Sequence, residues 1–252
     1  MNPINILLEK IENAKALDFG DIFNESIELF KKVWLQGLIM LLLNAAILIP
    51  FYFIMYLPLL GAGLLESNEN YDFEDFNMIL MIPLFIFIFV FSLVAMVVSF
   101  GMKASFYRIC KHKDLNIAVS DDYFFYLKRP YLGKVTVLSL MTFGISLLAT
   151  LLCFLPLIYV MVPVTLINVI FAFNPDLSAS DIVKAGFKLG NKKWLLTFGL
   201  IFISSILAQM VGMLMCLIGI FVTVSFSYLP AYFVYKGSVG FETTVETPRL
   251  ED

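Results

Sequence analysis

Residues 21–35, DIFNESIELFKKVWL, and residues 181–195, DIVKAGFKLGNKKWL, are one stretch written twice. They align without a gap at an offset of 160, with identity at Asp21/Asp181, Ile22/Ile182, Leu29/Leu189, Lys32/Lys192, Trp34/Trp194 and Leu35/Leu195. Both tryptophans of the chain occupy the matched position. In each copy a polar-headed segment runs straight into a long apolar one. That is the form of a membrane-entry unit, a helix with one charged face leading into a span.

Composition agrees with that reading. Hydrophobic residues make up 60% of the chain and charged residues 15%, against roughly 45–50% and 25% in soluble domains. Long uncharged runs carry the excess, and about 20 such residues cross an apolar core of about 30 Å. Residues 1–20 lack the cationic head, apolar core and small-residue cleavage site of a signal peptide. Ile4, Leu7, Leu8 and Ile11 recur there at helical spacing after Pro3, which predicts a short amphipathic helix.

The first copy separates completely on a helical wheel. Phe19, Ile22, Phe23, Ile27, Leu29, Phe30, Val33 and Trp34 share one arc, and Asp21, Asn24, Glu25, Glu28, Lys31 and Lys32 the other. Asp18 stands where an N-cap is needed, and Asp21 in the first turn, where the helix dipole favours a carboxylate. In the second copy Ile182, Val183, Gly186, Phe187, Leu189 and Trp194 oppose Asp181, Lys184, Lys188, Asn191 and Lys192. Lys193 is the exception, placed to snorkel toward headgroups. The pattern predicts helices at 20–33 and 180–193 lying along the cytoplasmic surface before turning into a span. Their apolar faces either enter the membrane interface or pack on the protein's own spans. Lys31, Lys32, Trp34, Lys192, Lys193 and Trp194 are the candidate membrane-interface anchors. A fainter third copy begins at 120–122, where Asp122 matches Asp21 and YFFYLKRPYLGK leads into the next apolar run.

Charge orders the spans. The segment 66–77 holds Glu66, Glu69, Asp72, Glu74 and Asp75 with no Lys or Arg, whereas 102–134 holds seven basic residues. Cytoplasmic loops are the basic ones, so one span separates the two segments, and 33–65 is a single crossing, tilted or broken near Pro50 or Pro58. The uncharged runs 135–173 and 194–235 are too long for one span each. They predict hairpins turning near residues 155–156 and 215–216. The expected fold is an all-α polytopic membrane bundle of six transmembrane helices with an internal repeat. Cytoplasmic amphipathic helices occupy 1–33, and the membrane domain is 34–235, with spans at 34–60, 78–101, 135–155, 157–173, 194–214 and 216–235. A cytoplasmic tail fills 236–252. All 17 Lys and Arg fall on the side of both termini, which are cytoplasmic in this reading, in a cell (plasma or inner) membrane.

Chemistry is sparse. No Asp, Glu, Lys, Arg or His lies within a predicted span, which removes the usual signature of ion-coupled transport. Asn44 and Ser204, with Ser205 beside the latter, fall ten residues past each Trp, about 15 Å deep. Polar groups at that depth pack helices together or line a path. The single histidine, His112, falls in the basic loop and reads as solvated. Of three cysteines, Cys110 reads as lying at the inner surface, and Cys153 and Cys216 near the outer turns, where a contact between them is open. The sequence contains no phosphate loop, nucleophile elbow or HExxH. A net charge of −3 gives no support for nucleic-acid binding; the basic side instead suits the lipid bilayer and its anionic headgroups. No cofactor is expected.

LDFGDIFNESIELFKKVWLQG and SASDIVKAGFKLGNKKWLLTFG resemble segments of bacterial six-span proteins similar to the membrane domain attached to some glycerophosphoryl diester phosphodiesterases. In those fusions a separate soluble barrel does the hydrolysis, so the resemblance implies the membrane part alone. Similar sequences also carry the designation β-carotene 15,15′-monooxygenase. Carotenoid cleavage enzymes hold iron with four histidines on a propeller, a site that a six-span helical chain with His112 alone does not build. The expected function is a non-enzymatic multi-pass membrane protein that organises lipid or a partner. The alternatives are a carrier or export component for a neutral or lipidic solute, and a membrane-embedded lipid-modifying enzyme.

Overall fold

The first long helix starts where its sequence supplies a cap. Asp18 Oδ1 accepts the backbone N–H groups of Gly20 at 2.7 Å and Asp21 at 3.1 Å, which satisfies donors that a helix start leaves open. In the computed structural model, which describes residues 3–65, 73–152, 155–215 and 218–241, the chain is all-helical, and no strand occurs among the described residues. The helices are α1 (Pro3–Glu12), α2 (Phe19–Leu65), α3 (Phe73–Asp114), α4 (Arg129–Leu151), α5 (Leu155–Phe173), α6 (Ala179–Lys192), α7 (Trp194–Leu214), α8 (Ile218–Thr223) and α9 (Leu229–Val239). Short 3-10 segments at Phe125–Leu127 and Val224–Tyr228 join α3 to α4 and α8 to α9. Among the described residues, five helices, α2, α3, α4, α5 and α7, contain stretches long and apolar enough to cross a membrane.

Several expectations are corrected. Residues 20–33 are not a separate surface helix: α2 passes through Trp34, Pro50 and Pro58 as one helix of 47 residues, about 70 Å long. Likewise α3 continues 13 residues beyond Gly101 to Asp114, so much of the predicted basic loop is helix. The segment matching 20–33 in the second copy is separate. It is α6, capped by Ser178, whose Oγ accepts from Asp181 N–H at 3.2 Å and donates to Asp181 Oδ2 at 2.7 Å. The paths of the two copies part at Val33/Lys193: Val33 is apolar and fully buried, while Lys193 ends the helix and turns its side chain back to the carbonyl of Lys15. The fainter third copy forms no helix of its own, only the 3-10 turn ahead of α4. The three stretches therefore take three different forms.

The last apolar run is also not one regular helix. Thr223, Ser225 and Ser227 donate their hydroxyls to carbonyls three or four residues back, and Pro230 removes a backbone donor. The run becomes α8, the 3-10 segment and α9, and α9 is largely buried. Thr223 Oγ1 also donates to Ala208 O at 2.6 Å, tying this run to α7. The acidic segment at 66–72, Cys153, Cys216 and the tail 242–252 lie outside the described residues.

Burial divides the molecule into two zones. Along one zone, side chains such as Phe85, Ile86 and Phe89 of α3, Leu148 and Leu151 of α4, and Met210 and Leu214 of α7 are exposed, as lipid-facing groups are. The packed core sits at the other end, where the basic residues gather. There Phe106, Tyr107 and Cys110 of α3, Leu166–Phe171 of α5 and Ala231–Tyr235 of α9 are closed off from the surface.

The apolar faces of both amphipathic segments belong to that core. Ile22, Leu29 and Val33 are buried, and Phe23 and Phe30 meet the Phe226 ring edge-on at 5.9 and 5.4 Å. On α6, Ile182, Ala185 and Leu189 are buried, with Gly186 against Ile167 and Gly190 against Pro163 of α5. These faces meet protein. Phe30→Asp should cost about 1.5 kcal/mol through lost apolar burial. Glu28→Gln, which removes an exposed 2.6 Å pair with Lys31, should cost no more than about 0.5 kcal/mol. Thermal unfolding in detergent compares the two, and equal losses would mean the Phe30 face is not packed.

Candidate functional site at the basic end

Polar side chains tie the helices together at successive depths. Deepest, Asn44 Nδ2 donates to Ser99 Oγ at 3.1 Å, joining α2 to α3, and Asn168 Nδ2 donates to Phe100 O at 3.0 Å, joining α5 to α3. Nearer the basic end, Asp121 Oδ2 accepts from Gln36 Nε2 at 3.2 Å and lies 3.3 Å from Lys113 Nζ. At the end of α3, Asp114 Oδ2 accepts from Tyr232 Oη at 2.7 Å and from Lys236 Nζ at 2.6 Å, both on α9. Tyr126 Oη donates to Ala172 O at 2.6 Å, holding the 3-10 turn on α5. Among the described residues no group of three or more His, Cys, Asp or Glu side chains is gathered to hold a metal.

Over this end lies α1, fastened to the second copy of the repeat. Lys188 Nζ bonds Glu12 Oε2 at 2.8 Å, Lys192 Nζ reaches the Glu12 carbonyl, and Lys193 Nζ reaches the Lys15 carbonyl. The hydrogen bond from Lys188, then its charge, holds the Glu12 carboxyl below its ordinary pKa. This contact is therefore present above the ordinary carboxylate range and weakens as pH falls through the lowered value. Burial beside α1, and then the neighbouring Lys192, lower the pKa of Lys193.

Between α1, the end of α3, the α5–α6 connection and the end of α9 lies a cavity of about 690 Å3, with Lys10, Lys111, Asn174, Asp176, Tyr235 and Phe241 in its wall. Asn174 Nδ2 donates to Tyr235 Oη at 2.7 Å, and Lys111 Nζ stands 5.3 Å from the centre of the Phe241 ring. Lys10 and Lys111 each occupy the last turn of a helix, where a cation complements the helix dipole. Their charge is thus partly spent on the fold.

Lys103 has no such role. Lys103 lies within α3, half-buried, with its Nζ 4.2 Å above the centre of the Tyr228 ring. Tyr228 also receives the edge of Phe106, ring centres 6.4 Å apart. One turn along the same helix, Tyr107 is fully buried and its hydroxyl has no hydrogen-bond partner among the described residues.

The candidate anchors fare unequally. Lys31 and Lys32 are exposed, and Trp34 keeps 43% of its surface open. Trp194 is half-buried: its Nε1 donates to Tyr159 O at 3.0 Å and its ring stacks on Phe198 at 5.0 Å. Lys192 and Lys193 bond to protein carbonyls, so Lys193 does not snorkel. Ser204 is buried on α7 in a line of small residues with Ala208 and Gly212, its hydroxyl unpartnered, and Ser205 is half-buried. His112 is 2% exposed, in the last turn of α3 rather than in a solvated loop. The sequence pattern does not single out Lys103 and Tyr107, because the loop assigned to 102–134 hides the helical spacing of Ser99, Lys103 and Tyr107; Asp114 and Tyr228 meet their partners only across the fold. No protein-family model, curated protein or solved structure matches this chain.

Proposed function

We propose that this chain is a non-enzymatic multi-pass protein of the cell membrane. Its basic end faces the cytoplasm and holds anionic lipid headgroups, or a partner carried on them, against a packed helical cap. The observation that carries the reading is the gathering of the described Lys and Arg at the end where α2 begins, α3 ends and α9 ends. Contact between α1 and α9 places both ends of the described chain together. That supports an even number of crossings, six when the broken run 218–239 is added to the five long helices. The carboxylates Asp114, Asp121 and Asp122 are each engaged by a lysine at 2.6, 3.3 and 2.8 Å. Such bonds favour a structural part for these groups over acid–base work.

Impermeant thiol labelling of intact cells tests the orientation. A cysteine placed at Asn70 should be modified and one at Asn116 should be protected. Labelling at Asn116 from outside would overturn the proposal. Purification in mild detergent should carry anionic lipid with the protein, and recovery of neutral lipid alone would also count against it.

A further inference from the structure

Lys103 is a cation that the protein itself does not neutralise. Among the described residues its ammonium makes no hydrogen bond or ion pair, and it stands 4.2 Å over the face of Tyr228. Asp114 stands 11 residues further along α3, about 16 Å away, and is committed to Tyr232 and Lys236, while Asp121 is committed to Gln36 and Lys113. An aromatic face attracts an ammonium but supplies neither counter-charge nor hydrogen-bond acceptor, and a charge drawn into protein without both is strongly disfavoured. No helix terminus accounts for Lys103, since it sits 11 residues before the end of α3. A second unmet group lies one turn on: Tyr107, about 40° round the helix from Lys103, is fully buried with its hydroxyl unpartnered among the described residues.

Depth selects the kind of anion. Lys103 stands two residues past the uncharged stretch 78–101. The 3-10 segment carrying Tyr228 packs so closely on α2 that a Cβ added at Gly37 would lie 2.2 Å from Ser225 Oγ and 3.5 Å from the Phe106 ring. Gly37 is one turn from Trp34, whose exposed indole is of the type that settles at a membrane interface. Lys103, Tyr228 and Trp34 therefore share the level at which phosphates meet the apolar core.

We propose that Lys103, over the Tyr228 ring and one helical turn before Tyr107, receives the phosphate of an anionic phospholipid where α3 meets the 3-10 segment. This assignment rests on the basic end lying against a leaflet, and it names the residue that selects the headgroup. Free phosphate carries the same chemistry, and depth favours the lipid.

The test is thermal unfolding of the full chain in dodecyl maltoside with phosphatidylglycerol, phosphatidylcholine or inorganic phosphate added. Phosphatidylglycerol should raise the midpoint of the unaltered protein by several degrees, and phosphatidylcholine should not. Lys103→Gln should lose most of that shift, Lys103→Arg should keep it, and Lys31→Gln with Lys32→Gln, which thins the basic end without touching the Tyr228 contact, should take away less of it than Lys103→Gln does. Tyr228→Leu, which removes the ring and keeps the charge, should reduce the shift. An undiminished shift in Lys103→Gln would overturn the assignment. If that shift instead fell in the Lys31/Lys32 variant, the broader leaflet reading would survive. No shift in the unaltered protein would defeat both, and an equal shift from inorganic phosphate would overturn the lipid assignment.

Discussion

Gly190→Leu should be among the most damaging single changes in this protein, with a loss of about 3 kcal/mol, at the top of the range for overpacked cores. A Cβ alone at this position would lie 2.9 Å from Pro163 Cγ and 3.0 Å from Pro163 Cα. Because one of those atoms is backbone, the clash is relieved only by moving α6 off α5. Gly190→Ala separates the two terms. Helix propensity favours Ala over Gly by about 1 kcal/mol, and the Pro163 contact should cancel that gain. Gly133, on α4, has nothing within 4 Å of its added Cβ, so Gly133→Ala should keep the gain. Thermal unfolding in detergent reads all three. If Gly190→Leu were as stable as the parent, α6 would not be seated on α5, and the account of its apolar face would fail.

That face shows how far the sequence reaches. The separation of Ile182, Gly186 and Leu189 from Lys184, Lys188 and Asn191 is visible in the letters alone. What the face meets is not visible, because a helical stripe looks the same whether lipid or protein covers it. Gly186 and Gly190 were the available signal. A membrane interface has no need of two glycines four residues apart on the buried side, whereas close approach to another helix does.

The continuity of α2 was hidden for a different reason. A charged face ending at Lys32 followed by an uncharged run marks a change of surroundings, and the backbone hydrogen bonds can continue across such a change. Val33, buried, lets the helix continue; Lys193 at the matching position ends it. The candidate phosphate site was illegible for the same reason. With α3 taken to stop at Gly101, Ser99, Lys103 and Tyr107 fall on both sides of a supposed boundary, and their shared face disappears. The pairing of Asp114 with α9 could not be read from the chain at all, since it joins residues 118 and 122 positions apart.

Asp114→Ala should cost about 2–3 kcal/mol, several times the loss from Glu28→Gln. Both changes remove a lysine pair with an N–O distance of 2.6 Å, so the difference lies in the surroundings. Glu28 and Lys31 keep 67% and 62% of their side-chain surface, and water replaces the lost partner at little cost. Asp114 and Lys236 keep 16% and 33%, and Asp114 also accepts the Tyr232 hydroxyl from a fully buried residue. Removing the carboxylate strands one charge and one polar group at a partly closed site; full burial would cost about 3–5 kcal/mol, and the exposure of Lys236 lowers that figure. The same carboxylate fixes the end of α3 to α9, whose Tyr235 and following Phe241 pack on Phe173 with ring centres 5.1 and 4.8 Å apart. Adding Lys236→Met and Tyr232→Phe to Asp114→Ala removes the stranded groups as well. The triple variant should therefore be more stable than Asp114→Ala alone, a sign of coupling that independent surface contacts do not give. A loss in Asp114→Ala no larger than in Glu28→Gln would show that α9 is held by its aromatic side chains alone.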